Sequence, residues 1–299
     1  MKRALAALAV LVAVPAVAGE FQLTLLSQGF AWAILALSVW LLLRVCGLAS
    51  FGHAAFFGTG AYVAGLAVTR WEVGNVFVAL ALAVAAGCAI ALPIALVAAR
   101  LRGVAFLMVT LAFAEMLRPL AGRWDVLGGT DGLVGVIRPS AAPLPLELSG
   151  PVGYYYFALG VLACALGALA LFARSPVGAA LAGIRESEDR MAALGYHAAA
   201  YRVAAFVVSA GVAAAGGVVS AYLNRFVDPG DLSPLVSAKA LLMVVIGGAS
   251  LLGAVIGALA ITELEEVLSS GTERWLGLLG ALYVLVALVP VPRLAVARR

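Results

Sequence analysis

Gly47–Leu66 reads GLASFGHAAFFGTGAYVAGL, and the reading of this stretch decides the fold. Its glycines (Gly47, Gly52, Gly58, Gly60 and Gly65) alternate with small and aromatic residues in a run apolar enough to sit in lipid. A helix that only filled a membrane would carry Leu and Val; one thinned in this way lets backbones approach closely. A lone histidine, His53, stands beside Gly52 and Ser50, where an isolated ionisable group at membrane depth is costly. Small residues plus one polar group inside a span make Ser50, Phe51, Gly52, His53, Phe56, Phe57, Gly58, Gly60 and Tyr62 a packed helix seam or a translocation path. Both meanings stay open at this level.

Outward from that stretch the composition is uniform. Of 299 residues 65% are hydrophobic and 11% charged, with a mean hydropathy of +1.11. Soluble domains carry about 25% charge, so the chain is a polytopic membrane protein. Its net charge of +4 lies in short connections rather than in a basic stripe, which argues against nucleic-acid binding. Cys46, Cys88 and Cys164 sit inside apolar runs without CxxC spacing and read as buried small hydrophobes rather than disulfide partners or metal ligands.

Apolar runs near the roughly 20 residues that cross a bilayer fall at Ala4–Ala18, Phe21–Leu43, Leu48–Val68, Asn75–Ala98, Val104–Leu117, Tyr154–Ala173, Val203–Leu223, Leu235–Gly247, Leu251–Leu268 and Trp275–Val289. The fold expected is therefore all-α, a single membrane domain over 1–299 of about ten helices (eight to ten), some of them short or broken. Residues 1–18 serve as a first span held inside by Lys2 and Arg3; the rival reading is a secretory signal ending near Ala16-Val17-Ala18. With the N-terminus inside, Arg44, Arg100, Arg102, Arg174, Arg185, Arg190, Arg202, Arg293, Arg298 and Arg299 join Lys2 and Arg3 at cytoplasmic ends. Only Arg70, Arg118, Arg123, Arg138, Arg225 and Arg274 fall outside, the asymmetry the positive-inside rule requires.

Two connections exceed simple turns. The outer one, 118–153, carries Gly128-Gly129-Thr130-Asp131-Gly132, strong turn chemistry that suits a structured surface loop or a rim touching an external partner. The inner one, 174–201, opens with Ser175-Pro176, a good helix start, and stops at Gly195. Leu181, Ile184, Met191 and Leu194 recur at helical spacing, with Arg185–Asp189 and Glu186–Arg190 as i,i+4 pairs on the wet face. One amphipathic helix over Pro176–Leu194 is expected, resting on lipid headgroups or docked on another protein. Its mixture of acidic and basic groups suits a protein surface better than anionic lipid.

Several chemistries are absent. A P-loop needs Gly-Lys-Ser/Thr, and neither Lys2 nor Lys239 follows a glycine. His53 and His197 sit on different elements, so no HExxH zinc site exists. Gly248-Ala249-Ser250-Leu251 places a serine in a membrane segment, but no histidine follows His197 to act as its base. A proton-coupled carrier would need a mid-span relay. Among His53, Glu115, Glu263, Glu265 and Glu266 only His53 is placed centrally, and a packing histidine explains it equally well.

Four segments occur in order: GLASFGHAAFFGTGAY, the outer GGTDGL, the inner SPVGAALAGIRESEDRMAALGY and the late LLMVVIGGASLLGAVIGA. Together they resemble the LivM-type permeases of branched-chain amino acid ABC importers, over about Phe21 to Pro290. The resemblance implies an inner-membrane permease subunit carrying a small amino acid, with urea or short amides as alternative cargo. It implies a second, LivH-like permease, two cytoplasmic ATPases and a periplasmic solute-binding protein as partners. ATP would be used by the ATPases, with no cofactor bound directly by this chain. The inner segment then corresponds to the coupling element, with Ile184, Arg185, Glu186, Glu188, Arg190, Leu194 and Gly195 facing the ATPase, and Gly129, Thr130, Asp131 and Gly132 at the outer rim. Ala192 departs from the family pattern, which usually has glutamate before Ala193-Leu194-Gly195.

Overall fold

The computed structural model describes residues 10–142, 146–271 and 274–288 and shows a helical bundle. Helix α1 spans Glu20–Trp40 and continues as a π-helical stretch, Leu41–Cys46, that Gly47 ends with a φ of +73°. Helix α2 (His53–Thr69) follows, then α3 (Val76–Ala98), capped by the Asn75 side chain accepting from Phe77 N–H at 2.8 Å, and α4 (Gly103–Arg123). After the outer connection come α5 (Pro151–Arg174), the short α6 (Pro176–Glu186) and α7 (Glu188–Ala193), and α8 (Ala198–Asn224). Helices α9 (Pro234–Gly247), α10 (Leu251–Gly271) and α11 (Trp275–Leu288) complete the order.

Five of these helices (α1 with its extension, α3, α4, α5 and α8) are each long and apolar enough to cross a membrane. The expected spans at Leu235–Gly247 and Leu251–Leu268 form a pair bent by 118°, a single interrupted element. The apolar pattern runs through Gly247-Gly248 without showing that bend. Val104–Leu117 proves longer, since the helix carries on through Pro119 to Arg123; Arg118 and Arg123 therefore belong to α4 rather than to a loop. Of the expected Ala4–Ala18 span, residues 1–9 lie outside the described residues, and Val14–Ala16 forms a 3-10 turn. The C-terminal arginines also lie outside them.

Burial sorts the helices. The apolar windows of α1 and α8 are 78% and 67% buried, against 22–39% for α3, α4 and α5. The first two form the centre, and the others turn residues such as Leu96, Val104 and Leu171 outward, as lipid contact requires. Cys164 shares that outer surface and is exposed, contrary to its expected burial; Cys88 and Cys164 line an apolar groove of about 640 Å³ between α3, α5 and α8. The α2–α8 contact is set by glycine. A Cβ at Gly60 would strike the Ala214 carbonyl, and one at Gly217 the Phe57 carbonyl, so only Gly lets these backbones meet.

The two ends differ. At one, strand β1 (Leu133–Val134) pairs antiparallel with β2 (Phe226–Val227), and Asn75 bridges to Ser140. Arg138 clasps this end: it donates to the carbonyls of Tyr222 (2.8 Å) and Leu148 (2.9 Å), and its guanidinium lies 4.1 Å above the Tyr154 ring. The outer connection is thus a structured cap. The opposite end gathers Arg44, Arg102, Arg185 and Arg202 around α6 and α7.

Candidate translocation site

Residues 47–52 carry the chain non-helically from the basic end of α1 back into the bundle, where α2 begins. That beginning lies against residues in the interiors of α1, α4 and α8, not at their ends. Backbone exposed inside a bilayer must find partners within the protein, and here other helices supply them. Phe51 N–H donates to Thr110 Oγ1 of α4 (3.3 Å), Gly52 N–H to Ser50 Oγ (3.1 Å) and Ala54 N–H to Ser237 Oγ of α9 (2.7 Å). The serines and the threonine are each at most 1% exposed.

His53 belongs to this knot. Its Nε2 lies 2.8 Å from Ser209 Oγ of α8, and Ser209 donates its one hydroxyl proton to the Ser38 carbonyl of α1 at 2.7 Å. Ser209 therefore accepts from His53, which assigns the proton of the neutral ring to Nε2. Nδ1 has no hydrogen-bond partner among the described residues. At 1% exposure, with one nitrogen committed and the other facing no donor, His53 is held as a packing group joining α1, α2 and α8.

The remaining seam residues share the interior. Phe56 meets Phe206 edge-on at 5.5 Å, Phe57 stacks on Trp32 at 5.8 Å, and Gly58 gives room to Leu232. Tyr62 is 4% exposed and its hydroxyl has no hydrogen-bond partner among the described residues, although Asp228 and Asp231 lie within electrostatic reach. Those two acids sit where a 3-10 turn, Pro229–Leu232, leads into α9. Burial and the neighbouring Asp228 carboxylate push the Asp231 carboxyl up to about 7. Nearby, Glu115, Arg118, Thr130 and Asp228 line an open polar cavity of about 490 Å³ at this end. Gly132 lies against the Val227 backbone, while Thr130 and Asp131 are exposed.

The second interruption lies between α9 and α10. Gly247 and Gly253 face each other's backbone, and Gly257 faces the Met243 carbonyl, so the bent pair packs without intervening side chains. An ion pair that the sequence reading missed, Lys239 with Glu265, joins the same two helices. Separated by 26 residues, the partners had no local spacing to betray them.

At the basic end the expected single helix is two. Ser187 adopts an extended conformation (φ −159°, ψ 102°) and caps the second helix by accepting from Arg190 N–H. The break interrupts the expected Arg185–Asp189 and Glu186–Arg190 pairs. Glu188 instead binds Arg102 (2.9 Å) and the buried Arg202. Ile184, expected to face a partner, is 3% exposed inside the chain's own core, whereas Leu194 is 72% exposed. Glu186 and Arg190 are exposed as well. The Ser175 cap and the Gly195 stop (φ +88°) stand where the residues placed them. Arg185 donates to the Arg44 carbonyl and covers Gly47, where a Cβ would come within 2.7 Å of its Cγ. The 174–201 segment therefore touches the start of the first interruption directly.

A multi-pass helical bundle whose interior is entered by discontinuous helices is an architecture of membrane transport. The chain belongs to the family of branched-chain amino acid transport system permease components, matching it over residues 21–288. It is 25% identical to the high-affinity branched-chain amino acid transport system permease protein LivM of Salmonella typhimurium, over 94% of this chain and 72% of that one. It is 27% identical to the protein of the same description from Escherichia coli, over 85% of this chain and 65% of the relative. No solved structure matches it.

Proposed function

We propose that this chain is the translocating permease subunit of an ABC importer for branched-chain or related small amino acids. Its α6–α7 end lies in the cytoplasm of a bacterial cell and its capped end in the periplasm. A second, LivH-like permease would complete the membrane part, two ATPases would engage α6–α7, and a solute-binding protein would deliver cargo to the capped end. ATP would be consumed by the ATPases, and this chain would bind no cofactor.

The contact of Arg185 with Arg44 and Gly47 carries the reading. A load applied to α6 passes into the π-helical stretch that ends at Gly47, and from there into the residues that enter the bundle at Ser50 and His53. Leu194 and Tyr196, both exposed beyond the Ser187 break, present apolar anchors for a groove on the ATPase. Glu186, Arg190 and the Arg102–Glu188–Arg202 cluster set the register.

Co-purification from cells expressing the whole transporter tests this assignment. Leu194→Asp is expected to lower ATPase retention at least tenfold at unchanged abundance of this chain. Ile184→Asp, placing a charge in the core, is expected to lower the abundance itself. Ala192→Glu should be tolerated. Undiminished ATPase retention and ATP-dependent leucine uptake in Leu194→Asp would sink the coupling assignment.

A further inference from the structure

Lys239 is the only lysine of the chain besides Lys2, and it sits two residues from Ser237, at the level where α2 begins. Its ammonium meets Glu265 of α10 and lies 4.0 Å from the centroid of the Trp32 ring, which stacks on Phe57. Both charged side chains keep about a fifth of their surface exposed (20% and 19%), so the pair is reachable. Beside it, the buried Tyr283 hydroxyl of α11 faces the Glu265 carboxylate.

A charge pair inside a bundle is a costly way to join two helices, because apolar side chains of similar volume do so without desolvation. The α9–α10 contact is already secured by glycine-to-backbone packing at Gly247, Gly253 and Gly257. The geometry points to another use: Lys239 and Glu265 form an exchangeable pair that admits a zwitterionic α-amino acid. The ligand's carboxylate replaces Glu265 on Lys239, and its ammonium replaces Lys239 on Glu265. Net charge is unchanged, and no charge is left unpaired after the exchange. Trp32 supplies an apolar wall for the side chain, and the Tyr283 hydroxyl faces the Glu265 carboxylate as a donor. Urea or a neutral amide carries no charges with which to make the exchange.

This inference rests on the amino-acid reading above, and uptake by the assembled transporter in membrane vesicles separates the two. If the wild-type transporter takes up urea or a short amide but not leucine, the substrate reading fails. If it takes up leucine, Lys239→Met combined with Glu265→Leu decides the matter, since that neutral pair keeps the helix contact. The exchange model expects kcat/KM for leucine to fall at least tenfold at normal abundance and subunit assembly. Wild-type leucine kinetics in the neutral pair would show a latch and overturn the model. Should that double variant fail to accumulate, Trp32→Leu is measured instead. A threefold or greater rise in leucine KM supports the site, and an unchanged KM overturns it.

Discussion

The two interruptions of the bundle, residues 47–52 before α2 and residues 248–250 between α9 and α10, solve one problem by different means. Before α2 the freed backbone is satisfied by hydroxyls of Thr110 on α4, Ser237 on α9 and the local Ser50, while Ser209 of α8 holds the His53 ring. Between α9 and α10 the helices touch glycine against backbone, with the Lys239–Glu265 pair beyond the contact, while the Trp40 indole N–H of α1 donates to the Ala249 carbonyl (3.0 Å) and Ser250 Oγ accepts from Gly253 N–H. A hydrogen-bonded break has few alternatives, because each group that moves leaves an unpaired donor behind. A glycine-lined contact resists bulk, and the Trp40–Ala249 bond ties this break to another helix where two such bonds tie the first. The first break is therefore the more constrained of the two, and Arg185 contacts its start.

Bulk tests the glycine contact most severely. Gly257→Leu would drive a side chain into the Met243 carbonyl, and backbone cannot yield as a side-chain tip can. A cost of about 3 kcal/mol, the top of the usual overpacking range, is expected. Urea titration of the detergent-solubilised chain should show it, and a loss below about 1 kcal/mol would mean that the α9–α10 contact is loose. The hydroxyl break answers to a subtler change. Ser237→Ala removes a single oxygen and strands Ala54 N–H, at an expected cost of about 2 kcal/mol for an unsatisfied buried donor. The same change at Ser250, where the hydroxyl accepts from Gly253 N–H at 2.9 Å and is only part-buried, should cost less. Equal losses at the two serines would erase the distinction between the breaks.

How far these features could be read in advance follows from their range along the chain. Gly47–Leu66 was legible because its glycine and aromatic content departs from ordinary lipid-facing sequence. The Ser175-Pro176 start and the Gly195 stop were legible because caps act within a few residues. The extended residue at Ser187 was not, since strong helix formers flank it and the apolar spacing runs on through it. That spacing also put Ile184 on the same face as Leu194, although the break at Ser187 separates them and buries only Ile184. Likewise the 118° bend sits in an apolar run whose pattern is identical for a short span and half of a broken one. The hydroxyl partners of α2 were invisible for a different reason. Serine and threonine are common in membrane helices, and nothing in Ser209 or Ser237 alone tells which distant backbone each will serve.

Titration gives the cleanest contrast between the entries to the two breaks. His53, inside the first, donates through Nε2 to an oxygen whose own proton is committed to Ser38, and its Nδ1 has no hydrogen-bond partner among the described residues. Asp231, in the turn that leads to α9, is different: its carboxyl is raised from 3.8 to about 7 by burial and by Asp228. With a folded value above the unfolded one, the native state holds the extra proton between those limits. Stability contributed by this group is complete below about pH 4 and is lost as pH climbs toward 7. Thermal unfolding of the purified chain should therefore show a component that falls between pH 4 and 7 in the wild type and in His53→Gln alike. In Asp231→Asn that component should vanish. A pH dependence that disappears with His53→Gln and survives Asp231→Asn would reverse the assignment, making the hydroxyl-bound break the titrating one.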